Sequence, residues 1–161
     1  GPILMIPDGN LARYIAGQTG REIIPWAGYC PIHNALNVEA VRAVRKLHPD
    51  AAFAAHPECT GEVLALADFV GSTTAIIKFA GEPRISKLIV GTEKGVFFRL
   101  QVLYPEKTFI PAAEDFLCPD MKLTTLEDIL NSLQNGQHVV KVPETVRIPA
   151  RRALDRMLAL A

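Results

Sequence analysis

Long apolar runs, an excess of either charge and a paired cysteine pattern are what this 161-residue sequence lacks. No stretch approaches the roughly 20 consecutive apolar residues that a membrane-spanning helix needs, and no charged segment precedes an apolar one at the N-terminus. The expectation is a soluble, cytoplasmic protein without a membrane partner. Lysine plus arginine and aspartate plus glutamate each number 17, so no global field steers the chain to nucleic acid. Any anionic ligand must be held by local groups. There are only three cysteines, an odd number with long, uneven spacing, which is not the pattern of a secreted disulfide scaffold. Reduced thiols or metal ligands are expected instead. With 49% apolar residues the chain can bury the core of one ordinary domain or of two small ones. Its start, Gly1-Pro2 running straight into Ile3-Leu4-Met5-Ile6, reads as a truncation or a tag scar.

The apolar residues come in short blocks. Ile3 to Ile6, Ile23 to Ile24, Ala51 to Ala55 and Leu88 to Val90 have the composition of strands buried on both faces, and helical periodicity fills the intervals. This alternation predicts an α/β chain of parallel sheets flanked by helices. Asn37 is placed to cap a helix with Val38, Val41, Val44 and Leu47 on one face, stopped by His48-Pro49. Thr60 caps the next, turning Val63, Leu64, Leu66 and Ala67 inward, and Asp68-Phe69-Val70 leads from it to Gly71-Ser72-Thr73. A short helix from Thr74 carries Ile76, Ile77 and Phe79 and ends at Gly81-Glu82-Pro83. Val96 to Tyr104, stopped by Pro105, is expected to be a strand. A second domain is expected to follow it, dividing the chain into 1–104 and 105–161. There, Thr124 and Glu127 have capping-box spacing for a helix through Leu133 closed by Asn135-Gly136. Val139, Val140 and Val142 suggest a strand, and a last helix from Pro149 sets Leu154, Met157, Leu158 and Ala161 on one face.

Each cysteine sits beside other reactive side chains, in Trp26-Ala27-Gly28-Tyr29-Cys30-Pro31-Ile32-His33, His56-Pro57-Glu58-Cys59-Thr60 and Cys118-Pro119-Asp120-Met121-Lys122. Thiols far apart in sequence but close to strand ends can converge on one metal or cluster. Cys30 with His33 follows a strand, where α/β proteins hold ligands. A packed cysteine beside a surface histidine is the other reading, because one Cys-x-x-His pair is a weak zinc signal. His56-Pro57-Glu58 suits proton transfer or the grip of a polar substrate, or is a solvated turn. Cys59, next to a helix cap, reads as packing. Gly71-Ser72-Thr73 offers backbone N–H groups and two hydroxyls to a phosphate or carboxylate, or is simply a cap, and Gly91-Thr92-Glu93 is ambiguous in the same way. Cys118 precedes a helix start and Lys122, both of which favour a thiolate; the alternative is a buried loop thiol. His48 reads as part of a helix stop and His138 as a strand-edge residue.

In this order, Ile6-Pro7-Asp8-x-Asn10-Leu11, Trp26-x-Gly28-Tyr29-Cys30-x-x-His33, His56-Pro57-Glu58, Gly71-Ser72-Thr73, Gly91-Thr92-Glu93 and Cys118-x-x-Met121-Lys122 resemble the quinolinate synthase (NadA) family along essentially the whole chain. The resemblance implies a fold of three similar small αβα domains about a pseudo-threefold axis. At its centre stands a [4Fe-4S] cluster, with one cysteine from each domain and the fourth iron open to substrate. It implies a transferase of de novo NAD biosynthesis that condenses iminoaspartate with dihydroxyacetone phosphate to quinolinate, phosphate and water. Carried over by position, Cys30 and Cys118 are implied as cluster ligands, and Glu58 and His56 as catalytic residues, Glu58 moving the proton and His56 orienting substrate. Substrate contacts are implied at His56, Pro57, Glu58, Ser72 and Thr73, whereas Cys59 matches no ligand position and His33, Glu93 and Lys122 receive no role. Residues 1–104 then correspond to the second domain and 105–161 to part of the third. The first domain, with the third cysteine ligand, lies outside this sequence. On this reading the isolated chain holds at most an incomplete or labile cluster and is inactive. Two alternatives stand beside it: a zinc hydrolase using Cys30, His33 and Cys118, and a small-molecule binding module that kept the fold without the catalysis.

Overall fold

In the computed structural model, which describes residues 1–159, the short apolar blocks become parallel strands and most of the periodic intervals become helices that cover them. In chain order these are β1 (Ile3–Met5), α1 (Gly9–Thr19), β2 (Ile23–Pro25), α2 (Pro31–Asn34), α3 (Val38–Leu47), β3 (Ala52–Ala55), α4 (Gly61–Leu64), β4 (Phe69–Val70), α5 (Thr73–Ala80), β5 (Lys87–Gly91), α6 (Val96–Leu103) and β6 (Thr108–Pro111). After them come a 3₁₀ turn at Asp120–Lys122, α7 (Leu126–Asn135) and α8 (Glu144–Leu158). The protein is thus an α/β chain with parallel sheets flanked by helices. Among the described residues no helix is long and apolar enough to cross a membrane.

Packing divides the chain into two compact units, Gly1–Pro119 and the residues from Asp120 onward. The first holds both sheets. β1 pairs with β2, Ile3 opposite Ile23 and Met5 opposite Pro25. The larger sheet runs β4-β3-β5-β6 with every pair parallel. From β3 the chain goes to one side to make β4, then crosses back to the other side for β5 and β6. The strand order therefore reverses between β3 and β5, the place where open α/β sheets form a crevice. Alternation along the strands builds two cores. Phe53, Ala55 and Ile89 pack with Leu36, Val41, Cys59, Val63 and Phe116, while Ala54, Leu88 and Val90 pack with Ile76, Phe79, Val96 and Leu100. Both faces are covered, as a parallel sheet requires.

Several local expectations are corrected. Val96 to Tyr104 is the helix α6 rather than a strand, since its apolar residues Val96 and Leu100 meet one core at helical spacing while Phe98 and Val102 stay exposed. The strand of this region is β6, which pairs with β5 in register Leu88 to Phe109. Packing parts after Pro119, beyond this last crossover. Phe69–Val70, expected as a connection, is the edge strand β4. Asn37 caps α3 as expected, accepting from the N–H groups of Glu39 and Ala40, but Leu47 at its end is 75% exposed rather than inward.

In the second unit the capping box lies one residue later than expected. The Thr125 hydroxyl accepts from the Asp128 N–H at 3.2 Å and the Asp128 carboxylate accepts from the Thr125 N–H at 2.8 Å. Gly136, at φ +60°, closes α7 as expected. Val139, Val140 and Val142 form no strand, because among the described residues no neighbouring strand offers them a ladder, and His138 sits at φ +60° instead of at a strand edge. Helix α8 begins at Glu144 and runs through Pro149 rather than starting there. Side-chain pairs Arg147–Glu144 and Arg151–Asp155, at 2.6 and 2.7 Å, span either side of the proline. The helical face assigned to Leu154, Met157 and Leu158 is exposed, and Ala161 lies outside the described residues.

One carboxylate ties the start of the chain together. Asp8, 3% exposed, caps α1 by accepting from the Leu11 N–H at 2.8 Å and accepts from the Cys30 N–H at 2.7 Å with its other oxygen. The two segments can approach this closely because residue 28 is glycine, whose added Cβ would stand 2.6 Å from the Pro7 carbonyl oxygen. Asp8→Ala removes the cap and strands the Cys30 N–H, so urea unfolding should show a loss of about 2 kcal/mol or more. A loss below about 0.5 kcal/mol would show that water replaces both bonds.

Candidate functional site

The residues singled out by sequence leave the larger sheet from the carboxyl ends of its strands. His56-Pro57-Glu58 follows β3, Gly71-Ser72-Thr73 follows β4, Thr92 and Glu93 follow β5, and the loop after β6 leads to Cys118. Parallel strands put all these ends on one edge. The β3 and β5 ends, flanking the switch point, are joined by the His56 N–H donating to the Gly91 carbonyl at 3.0 Å.

Into that crevice reaches His33, from the short helix α2 just after Cys30. Its ring is almost wholly buried and is held at both nitrogens. Nδ1 lies 3.1 Å from Glu58 Oε2 and 3.3 Å from Cys30 Sγ, while Nε2 lies 3.0 Å from Thr92 Oγ1. The His56 ring stacks on it at 4.3 Å between centroids, and Phe116 meets it edge-on at 5.6 Å. His56 Nδ1 stands 3.6 Å from the same Glu58 oxygen. The Glu58 backbone is fixed as well, its carbonyl accepting from Asn10 Nδ2 at 3.1 Å.

Burial lowers the pKa of His33 below the ordinary 6.5, against the opposing pull of Asp8 and Glu93. Burial lowers that of His56 too, reinforced by the neighbouring His33. Two stacked imidazoles in a confined space cannot both take a charge cheaply, and both are neutral near pH 7. A neutral ring has one donor and one acceptor nitrogen, and a carboxylate only accepts. Facing Glu58, Nδ1 of His33 carries the proton, and Nε2 accepts from the Thr92 hydroxyl. The result is a relay from Thr92 through His33 to Glu58, with His56 against its side.

The three cysteines part company. Cys59 is fully buried, its S–H directed at the Gly91 carbonyl at 3.7 Å, and burial pushes its pKa up to about 12. It is a packing residue, as its sequence position suggested. Cys30 and Cys118 are half-buried free thiols. The Cys118 N–H donates to Glu93 Oε1 at 3.3 Å, and the Lys94 N–H donates to the Phe116 carbonyl at 2.8 Å, which pins the Cys118 loop to the β5 end. Among the described residues, one group of potential metal-binding atoms lies within 4.8 Å of one another: Cys30, His33 and Glu58. Cys118 is not in it; Glu58 is the third member of the group beside Cys30 and His33. Ser72 accepts from the Ala75 N–H at 3.3 Å as the cap of α5, and Thr73 is exposed in its first turn.

Sequence reasoning placed His33 only in a weak Cys-x-x-His pair and an alternative zinc trio, and left Thr92 and Glu93 as an ambiguous strand-end pair. The available signal was weak: polar residues directly after the strand Leu88 to Val90, at a position where a buried sheet end needs partners. Asp8 and Asn10 were visible only as letters of a motif, since their partners are 22 and 48 residues away.

The family model described as quinolinate synthetase A protein matches residues 1–159. Among curated proteins, the chain is 49% identical over 158 residues to the quinolinate synthase of Geotalea uraniireducens (strain Rf4), covering 98% of this chain and 52% of that protein. It is 47% identical to the quinolinate synthase of Geobacter sp. (strain M21) and 47% identical to quinolinate synthase 1 of Methanosarcina acetivorans, with the same coverage. The chain spans about half the length of the curated relatives it matches.

Alkylation of the reduced native chain near pH 8 should modify Cys30 and Cys118 within minutes and leave Cys59 unmodified until denaturant is added, as peptide mass mapping would read. Rapid native labelling of Cys59 would contradict its packing role. The histidines set a pH dependence. Their folded pKa values lie below 6.5, so between those values and 6.5 the unfolded chain binds more protons. Stability is then complete above about pH 6.5 and falls as pH drops through that window. Urea midpoints from pH 8 to pH 5 should show the fall, and His56→Gln should flatten it; an unchanged midpoint would rule out the buried neutral pair.

Proposed function

The chain belongs to the quinolinate synthetase A family, and from that premise we propose that it furnishes part of the site in which iminoaspartate condenses with dihydroxyacetone phosphate to quinolinate, phosphate and water. The observation that carries this reading is the gathering of Cys30, Glu58 and His56 around the buried His33, with the Cys118 loop fastened to the same sheet end. On this reading residues 1–104 and 105–161 correspond to the family's second and partial third domains. The remaining half of the relatives' length supplies the rest of the site, and the enzyme works in the cytoplasm.

A [4Fe-4S] cluster fits the donor chemistry of two loops: Cys30 and Cys118 are accessible thiols, each held by a backbone N–H bonded to a buried carboxylate, Asp8 and Glu93. These two would hold it, with the third cysteine coming from outside this chain. When bound, it supplies an open iron that polarises a substrate oxygen. Cys59 does not take part, since its proton is held by burial.

Glu58 moves the proton in this proposal. One of its oxygens accepts from His33 Nδ1, which fixes the carboxylate plane and leaves the other oxygen for substrate. His56, kept neutral by burial, can donate to a substrate carboxylate or carbonyl from one nitrogen without bringing a charge. Its position beside the same carboxylate orients the substrate toward Glu58. Pro57 limits the backbone freedom between them. Ser72 and Thr73, at the carboxyl end of β4, stand where a hydroxyl and free N–H groups of the α5 start would take a carboxylate or phosphate.

Anaerobic reconstitution of the isolated chain should give less than one stable [4Fe-4S] centre by iron and sulfide analysis, and no quinolinate. Addition of the complementary half of a relative should restore both. Glu58→Gln in the restored enzyme should lower kcat by about 10² to 10⁴ while keeping the cluster spectrum. A stable stoichiometric centre on the chain alone, or full activity of Glu58→Gln, would refute the assignment.

A further inference from the structure

We infer that Cys30, His33 and Glu58 make a site for one borderline divalent metal ion, zinc(II) or iron(II), separate from any cluster. The inference stands on these three side chains and not on the proposed reaction, so either can fail alone. His33 Nδ1 is 3.3 Å from Cys30 Sγ and 3.1 Å from Glu58 Oε2, and the three atoms lie within 4.8 Å of one another. Ligands bonded at about 2.0 to 2.3 Å to a tetrahedral ion stand roughly 3.3 to 3.7 Å apart. The two pairs that include His33 are already close to that spacing, and a shift of the Cys30 or Glu58 side chain within the 4.8 Å limit completes it, with one coordination position left for water or a small anion.

The surroundings suit such an ion. To coordinate through Nδ1, the imidazole must carry its proton on Nε2, and there it meets Thr92 Oγ1 at 3.0 Å. A hydroxyl donates or accepts, so Thr92 serves either tautomer without moving, and a histidine ligand characteristically gives its other N–H to such a partner. The thiol proton leaves and the imidazole proton passes from Nδ1 to Nε2, so one proton is released per ion bound. Each ligand is anchored from behind: the Cys30 N–H by Asp8 at 2.7 Å, the Glu58 carbonyl by Asn10 at 3.1 Å, and the His33 ring by the stack with His56. Because Cys30 and Glu58 are both consumed, the single ion and the proposed cluster ligation and proton transfer exclude one another. This defines a metal-blocked form of the chain.

The test is an anaerobic titration of the reduced, metal-free chain with cobalt(II), followed by displacement with zinc(II) against a chromophoric chelator. One equivalent of cobalt should bind with tetrahedral ligand-field bands and a single-thiolate charge-transfer band. Cys30→Ser, which changes one atom and preserves packing, should abolish the charge-transfer band. Glu58→Gln should weaken zinc at least tenfold, whereas Cys118→Ser and Cys59→Ser should change neither spectrum nor affinity. Absence of stoichiometric binding, an octahedral spectrum without thiolate, a thiolate band that survives Cys30→Ser, or loss of binding in Cys118→Ser would each overturn the inference.

Discussion

The buried imidazole of His33 is the contact on which the site depends. It belongs to the short helix α2 that follows β2, yet both of its nitrogens are satisfied by residues at the carboxyl ends of β3 and β5, Glu58 and Thr92. A buried polar ring with an unpaired nitrogen costs about 1 to 3 kcal/mol, so these bonds fix where the Cys30 loop meets the larger sheet. The same bonds set the tautomer, with the proton on Nδ1 facing Glu58 Oε2. Packing against Phe116 and stacking with His56 complete the enclosure and keep both histidines neutral.

A second constraint repeats in two places. Each accessible cysteine sits in a loop whose own backbone N–H is bonded to a buried carboxylate, Asp8 for Cys30 and Glu93 for Cys118. Both carboxylates carry a second backbone bond, Asp8 to the start of α1 and Glu93 to the Gly95 N–H at 2.6 Å. The thiol loops are thereby pinned by hydrogen bonds to buried carboxylates, a positioning that suits ligation.

Local patterns read well wherever the cause was local. The strands at Ile3, Ile23, Ala51 and Leu88, the Asn37 cap and the Gly136 stop all depend on neighbours within a few residues, and the structure has them. The failures have one physical origin. Val96 to Tyr104 is β-prone, but α5 and β6 leave it a place against the sheet that only a helix fills, and Val139 to Val142 has strand composition with no strand to pair with. Pairing of β6 with β5 likewise cannot be read from either segment alone.

By itself the sequence determined the α/β class and the parallel strands, since residue type and spacing carry the strand pattern, although β1 and β2 are largely exposed rather than buried on both faces. Its family likeness also set Cys59 apart from Cys30 and Cys118, and burial of that thiol in a core gives the distinction a physical cause. Only the tertiary structure decided that His33, flagged by nothing stronger than a Cys-x-x-His spacing, is the centre of the site. Its partners lie 25 and 59 residues away. The order reversal between β3 and β5 brings those distant residues together, and a crossover of that kind leaves no trace in any short stretch of sequence.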